Sequence, residues 1–219
     1  MSTPRYKLIY FNFLGLGEPL RFMFHLAGVP FEDIRVEVKE WKNGKKKGET
    51  CWGVLPELQV DGKTLCQSKA INYYLAKKFG FAGKDEWENA KVLEFLCSTE
   101  DVFGKLRAAF FLNDEAAKHE TFKAIVNDDI RAYYNRLTKS LGENGTGYFV
   151  GDQLTVADIY IFVWLNGIDE SWAPGLLEKY SKLKTFVERI SDVPKIREWI
   201  EIRPKCPFAY IEHRVEINE

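Results

Sequence analysis

Four cysteines, three histidines, a lysine run and a serine at a helix start are the residues here whose types could do chemistry. Cys51, Cys66, Cys97 and Cys206 lie 15, 31 and 109 positions apart. None forms a Cys-x-x-Cys pair, so no redox dithiol motif is read and reduced thiols are expected. His25, His119 and His213 lack ligand-like spacing, and no metal site is expected. Gln67 and Ser68 stand where a helical pattern begins after a hairpin. Free backbone amides there favour an anion, and the Ser68 hydroxyl adds a donor. On pattern alone, Ser68 reads first as an N-cap. Lys45, Lys46 and Lys47 read as a solvated run, and Tyr10 as a strand tyrosine in the core.

These residues need elements to hold them. Residues 6–11 alternate, with Leu8 and Tyr10 on one side and Ile9 and Phe11 on the other, which predicts a strand buried on both faces. Gly15-Leu16-Gly17 breaks it. Leu20, Met23, Phe24 and Ala27 recur at helical spacing until Gly28 and Pro30. Ile34, Val36 and Val38 make a second strand, parallel to the first if the crossover is right-handed. A polar loop is expected from about Lys39 to Gly53, with Trp52 packed. Asp61-Gly62 between two short apolar runs signals a hairpin. A helix follows from Ser68 to about Phe79.

Residues 80–86 read as a linker, and no strand pattern follows. Trp87 to about Leu112 is one long helix. A second runs through Phe122, Val126, Ile130, Tyr133, Leu137 and Leu141 to Gly142. Thr155-Val156-Ala157-Asp158 forms a capping box, with Leu154 and Ile159 as its hydrophobic staple. The expected architecture is therefore α+β followed by all-α: βαβ-ββα over residues 1–79, helices over 87–208, and a flexible tail at 209–219.

Composition narrows the function. The 219 residues carry 31 basic and 32 acidic side chains, net −1, which argues against a nucleic-acid partner. Residues 1–80 hold 13 basic and 8 acidic residues, a modest excess that would suit a small anionic ligand. No apolar run is long enough for a membrane span, and the N-terminus does not read as a signal peptide. A cytoplasmic protein without membrane insertion is expected.

The order and spacing of several motifs resemble the cytosolic glutathione transferases, most closely the sigma class of invertebrate type, across about residues 6–208. The resemblance rests on Tyr6-Lys7-Leu8-Ile9-Tyr10-Phe11-Asn12, Gly17-Glu18-Pro19-Leu20-Arg21 and Phe31-Glu32-Asp33. It continues through Leu55-Pro56-Glu57-Leu58-Gln59-Val60-Asp61-Gly62 and Gln67-Ser68-Lys69-Ala70-Ile71-Asn72-Tyr73-Tyr74-Leu75. Gly151-Asp152-Gln153-Leu154-Thr155-Val156-Ala157-Asp158 and Arg203-Pro204 complete it.

It implies a thioredoxin-like domain followed by an all-helical domain. The implied activity is attack of the glutathione thiolate on small apolar electrophiles, with peroxide reduction and isomerisation as related chemistry. Glutathione would be the co-substrate, with no metal. A free thiol of pKa ~8.5 is only ~3% thiolate at pH 7. Lowering that pKa by about two units needs ~2.7 kcal/mol of differential stabilisation, part of which a hydroxyl donor supplies.

By the same resemblance Tyr10 is that donor. A cis Leu55-Pro56 bond would let the Leu55 backbone pair with the cysteinyl part of glutathione. Gln67 and Ser68 would take the γ-glutamyl carboxylate, and Trp41 with Lys47 (Lys45 as second choice) the glycyl carboxylate. Asp101 would reach the α-amino group across a homodimer. Phe11, Phe13, Leu16, Arg107, Phe111 and Tyr160 are the candidate second-substrate pocket. Two departures stand out. The stretch from Trp41 to Pro56 is about two residues longer than in close relatives. Leu14 and Leu16 stand where vertebrate prostaglandin-forming members have arginines, and Ala108 replaces a pocket tryptophan, which argues against prostaglandin isomerisation. The alternative reading is a non-enzymatic glutathione or hydrophobic-ligand binder, or a crystallin-like structural protein, on the same fold.

Overall fold

A computed structural model describes residues 5–110, 112–209 and 215, the side chains of Lys45 and Phe110 excepted. The N-terminal part is a four-stranded mixed sheet in the order β2-β1-β3-β4. Strand β1 (Tyr6–Phe11) pairs in parallel with β2 (Phe31–Val36) and antiparallel with β3 (Glu57–Val60), which pairs antiparallel with β4 (Lys63–Cys66). Helix α1 (Glu18–Ala27) makes the crossover between β1 and β2 and ends on left-handed Gly28. Asp61 and Gly62 both have positive φ, the geometry of a tight hairpin turn.

Burial of β1 is one-sided. Tyr6, Leu8 and Tyr10 are buried, whereas Lys7, Ile9 and Phe11 are half-buried. The expectation of two buried faces is corrected here: Lys7 reaches the rim and pairs with Glu32. The expected polar loop is also corrected. It contains two short helices, α2 (Val38–Lys42) and α3 (Lys45–Glu49), and Val38 belongs to the first of them rather than to β2. Trp52, expected to pack, is 70% exposed.

Helix α4 (Ser68–Phe79) packs on α1 and ends at left-handed Gly80. The rest of the described chain is helical: α5 (Glu86–Phe110), α6 (Glu115–Ala124), α7 (Arg131–Asn144), α8 (Val156–Ser171), α9 (Ser181–Ser191) and α10 (Pro194–Ile202). The single long helix expected through Phe122 and Leu141 is α6 and α7 joined by a π-helical turn, Ile125–Ile130. Its apolar spacing survives because the π turn keeps Phe122, Val126, Ile130, Tyr134 and Leu137 in the core. Helix α8 is the central post, buried along most of its length and packed against α1, α5 and α9.

The tail is not wholly free. Pro207 and Phe208 accept backbone hydrogen bonds from Leu14 and Gly15, at 3.0 and 2.9 Å. Ala209 and Val215 are buried, and the Val215 amide donates to Trp172. That departs from the expected flexible tail at both described positions; the other residues of 209–219 lie outside the described residues.

The capping box at α8 forms as the sequence predicts. Asp158 is fully buried and accepts from the Phe149 amide, the Thr155 amide and the Thr155 hydroxyl, each at 2.8 Å. Burial pushes its carboxyl up to about 6, against the pull of those donors. Above that pH it is a carboxylate clamping the 149–155 turn onto α8. Asp158→Ala strands these donors and should lower folding stability by about 2–4 kcal/mol in urea unfolding.

Candidate active site

The site begins at the end of β1. Tyr10 is 3% exposed, and its ring packs edge-on against Phe11 and Phe13, both at 5.5 Å between centroids. The Leu16 backbone N–H donates to the Tyr10 hydroxyl at 3.0 Å. That uses acceptor capacity only, and among the described residues no hydrogen bond takes the phenolic proton. Burial pushes the phenol well above its ordinary range. The Leu16 amide and the Arg21 and Arg107 cations pull it down, and Glu100 pushes it up. Tyr10 is therefore a neutral hydrogen-bond donor throughout the physiological range.

Two glycines make this placement possible. A Cβ on Gly17 would lie 2.4 Å from Tyr10 Cδ1, and one on Gly15 2.8 Å from the hydroxyl oxygen. The 3₁₀ turn Gly15–Gly17 thus lies directly on the ring. A guanidinium anchors the segment. Arg21, fully buried, pairs with Asp33 of β2 at 3.1 Å and with Glu18 at 3.2 Å. It also donates to the carbonyls of Phe13 and Phe11, at 3.0 and 3.4 Å. Glu18 in turn accepts from Trp199 and Arg203.

Sheet register brings further predicted residues to the same end. Ile9 is opposite Glu57, and Glu57 is opposite Cys66. Tyr10, Pro56 and Gln67 are each the next residue beyond those paired positions. The Leu55-Pro56 bond is cis. Gln67 has φ +75°, a strained backbone for a non-glycine residue. It turns the chain so that α4 starts at buried Ser68, its free amides beside the sheet end. Trp41 of α2 packs edge-on against Phe11, at 5.4 Å between centroids. Lys47 of α3 is exposed and runs past Gly53; Lys45 is on the same helix, its side chain outside the described residues.

The second-substrate candidates divide. Phe11 and Phe13 stack at 5.0 Å beside Tyr10, and Leu16 supplies the amide on its hydroxyl. Arg107 is on α5, paired with Glu100 at 3.3 Å. Tyr160 of α8 is fully buried in the core. Phe111 lies outside the described residues. Asp101 is not brought to Tyr10. It lines a separate cleft of about 440 Å³ between α5 and α7, with Lys105, Tyr133 and Arg136. Another cleft, of about 730 Å³, touches only Phe13 of the candidates and otherwise runs along α2 to Pro207 and Ala209.

Sequence reasoning left Glu100, Glu18, Arg21 and Asp33 without a role. Glu100 influences Tyr10 electrostatically, and burial pushes its carboxyl up while Lys69 and Arg107 pull it down. Its signal was the spacing Glu100, Phe103, Arg107, one face of a helix over two turns; the Arg107 guanidinium indeed lies 5.6 Å from the Phe103 ring centroid.

Comparison with known proteins gives the same outline. Residues 6–77 match the family model "Glutathione S-transferase, N-terminal domain", and residues 100–203 match "Glutathione S-transferase, C-terminal domain". The chain is 38% identical over 208 residues to glutathione S-transferase 1 of Ascaris suum, covering 94% of this chain and 100% of that one. Prostaglandin synthase D of Nilaparvata lugens superposes with a TM-score of 0.85 at 37% identity, over 92% of this chain and 100% of that one. Na-GST-3 of the hookworm Necator americanus, described as monomeric, superposes with a TM-score of 0.81 at 35% identity, over 93% and 98%.

Gly17→Ala must displace the Tyr10 ring. It should lower stability by about 1–3 kcal/mol in urea unfolding, while Gly104→Ala on α5, where a Cβ meets open space, should be neutral or stabilising.

Proposed function

The chain belongs to the glutathione S-transferase family, and we propose that Tyr10 is the residue through which it activates the glutathione thiol. Glutathione conjugation is the activity that goes with that membership. The observation carrying the assignment is the Tyr10 hydroxyl itself, buried, neutral and accepting from Leu16. Its own proton can be donated to a new acceptor, and a thiolate is the stronger acceptor of the two thiol forms. A charge-assisted O–H···S⁻ bond favours ionisation of the bound thiol.

Around that bond, the Leu55 backbone next to cis Pro56 receives the cysteinyl unit as an added strand. Ser68 and the α4 amides receive the γ-glutamyl carboxylate, with Gln67 beside them. Trp41 and Lys47 take the glycyl carboxylate. The register Ile9 to Glu57 to Cys66, which brings the chain ends leading to Tyr10, Pro56 and Gln67 together, supports the cysteinyl and γ-glutamyl part of this reading. The electrophile then approaches over Phe11, Phe13 and Leu16, with the Glu100–Arg107 pair at the margin. Leu14 and Leu16 are apolar and buried, which favours apolar electrophiles over anionic ones.

The sigma-class assignment rests on the position of Tyr10 at the end of β1. A homodimer is proposed because Asp101 lines a cleft away from its own chain's Tyr10. A two-fold partner would bring that carboxylate to the other chain's glutathione amine. A cytoplasmic setting is proposed because the reaction consumes a reduced thiol. Among the described residues no helix is long and apolar enough to cross a membrane.

Tyr10→Phe should raise the pKa of bound glutathione by about 1–2 units in an ultraviolet thiolate titration. Turnover at neutral pH should fall ~10–100-fold, with glutathione affinity nearly kept. An unshifted thiol titration in that variant removes Tyr10 from the mechanism. Sedimentation should give twice the chain mass at working concentration; a monomer that binds glutathione as tightly removes Asp101 from ligand contact.

A further inference from the structure

No local cysteine motif exists in this sequence, yet the fold builds a pair. Glu57 and Cys66 face each other across β3 and β4. The Cys66 thiol donates to Glu57 Oε2 at 3.7 Å, and the Cys51 backbone N–H donates to the same oxygen at 3.4 Å. The backbone of Cys51 and the thiol of Cys66 therefore converge on one carboxylate oxygen. Cys51 is exposed and Cys66 is buried. Cys66 immediately precedes Gln67 and Ser68, while Cys51 sits between α3 and the Leu55-Pro56 bond.

We propose that Cys51 and Cys66 form a thiol–disulfide exchange pair, with glutathione disulfide as the oxidant, beside the glutathione pocket. The pair stands on its own geometry; only its place beside that pocket rests on the function proposed above.

Access sets the order of steps, because the attacking thiol must be reachable and ionised. The Cys51 thiolate attacks one sulfur of glutathione disulfide. The disulfide bond breaks, one glutathione leaves as thiolate and is protonated by solvent, and Cys51 carries the mixed disulfide. Cys66 then gives its S–H proton to Glu57 and attacks the Cys51 sulfur. A Cys51–Cys66 bond forms, the Cys51–glutathione bond breaks, and the second glutathione leaves as thiolate and is protonated by solvent as Glu57 releases the proton it took. Two protein thiols are oxidised, and one disulfide is reduced to two glutathione thiols.

The second step is slow by construction. Burial, with Glu57 and Cys51 facing it, pushes the Cys66 thiol up to about 11. Below that value its thiolate fraction grows about tenfold per pH unit. A disulfide needs the two sulfurs at about 2.05 Å, whereas both cysteines are here held on Glu57. Closing it draws the loop between α3 and Pro56 towards β4 and shifts the proposed Leu55 and Lys47 contacts.

The full-length protein is incubated with excess glutathione disulfide, quenched with acid, alkylated, and mapped by non-reducing peptide mass analysis. The expected product is a peptide pair linking Cys51 to Cys66, forming faster as pH rises. Cys66→Ser should stop at a glutathionyl adduct on Cys51, and Cys51→Ser should leave Cys66 unmodified. A stable adduct on Cys51 in the unmutated protein, or no modification there while exposed Cys97 reacts, would overturn the pair. The oxidised form should show a glutathione KM raised at least about twofold and restored by reductant. A cross-link with unchanged KM would uphold the pair and overturn its place at the glutathione contacts.

Discussion

The buried guanidinium of Arg21 is the constraint on which the N-terminal half depends. It joins Asp33 of β2, Glu18 of α1 and the carbonyls of Phe11 and Phe13 at one point. Glu18 carries the linkage on to Trp199 of α10 and Arg203 at its end. A fully buried cation is costly unless its donors are matched, and the polar atoms meeting this one come from three separate segments. Removing one side of such an arrangement typically costs about 3–5 kcal/mol, because the remaining charge is left unpaired. The loop after β1 therefore has little freedom. The same contacts fix Phe11 and Phe13, the rings that flank Tyr10.

From that fixed loop the properties of Tyr10 follow. A phenol in the core is pushed away from ionisation, and the nearby amide and cations do not undo this. A donor that ionised easily would surrender its proton and lose the charge-assisted bond to an incoming thiolate. Burial thus keeps the hydroxyl in its donating form, and the Leu16 amide orients it. The cost is steric, met by omitting side chains at Gly15 and Gly17, where the backbone turn touches the ring.

Much of this was legible because it is local. Strand alternation, the Asp61-Gly62 hairpin, the helix beginning at Ser68 and the capping box at Thr155 and Asp158 each depend on neighbours within a few residues. The short helices at Val38–Lys42 and Lys45–Glu49 were not legible. Five-residue helices offer too few turns to show an apolar face, and Lys45–Lys47 resembles any solvated run. The π turn at Ile125–Ile130 was hidden because its extra residue shifts the register without breaking the buried stripe. Trp52 was misread because a large aromatic suggests packing, and nothing local shows that it faces outward.

Site residues held by long-range contacts escaped the sequence for the same reason. Glu100 and Asp101 are adjacent, yet successive helical residues point about 100° apart. Glu100 meets Arg107 and bears on Tyr10, while Asp101 lines the cleft between α5 and α7. One helix thereby serves two surfaces, and only three-dimensional packing assigns each carboxylate to its side. Cys51 and Cys66 repeat the lesson, since fifteen positions of sequence separate a backbone N–H and a thiol that meet on one carboxylate oxygen. Spacing rules detect chemistry carried by a single turn or helix face; chemistry assembled across strands is visible only once the register is known.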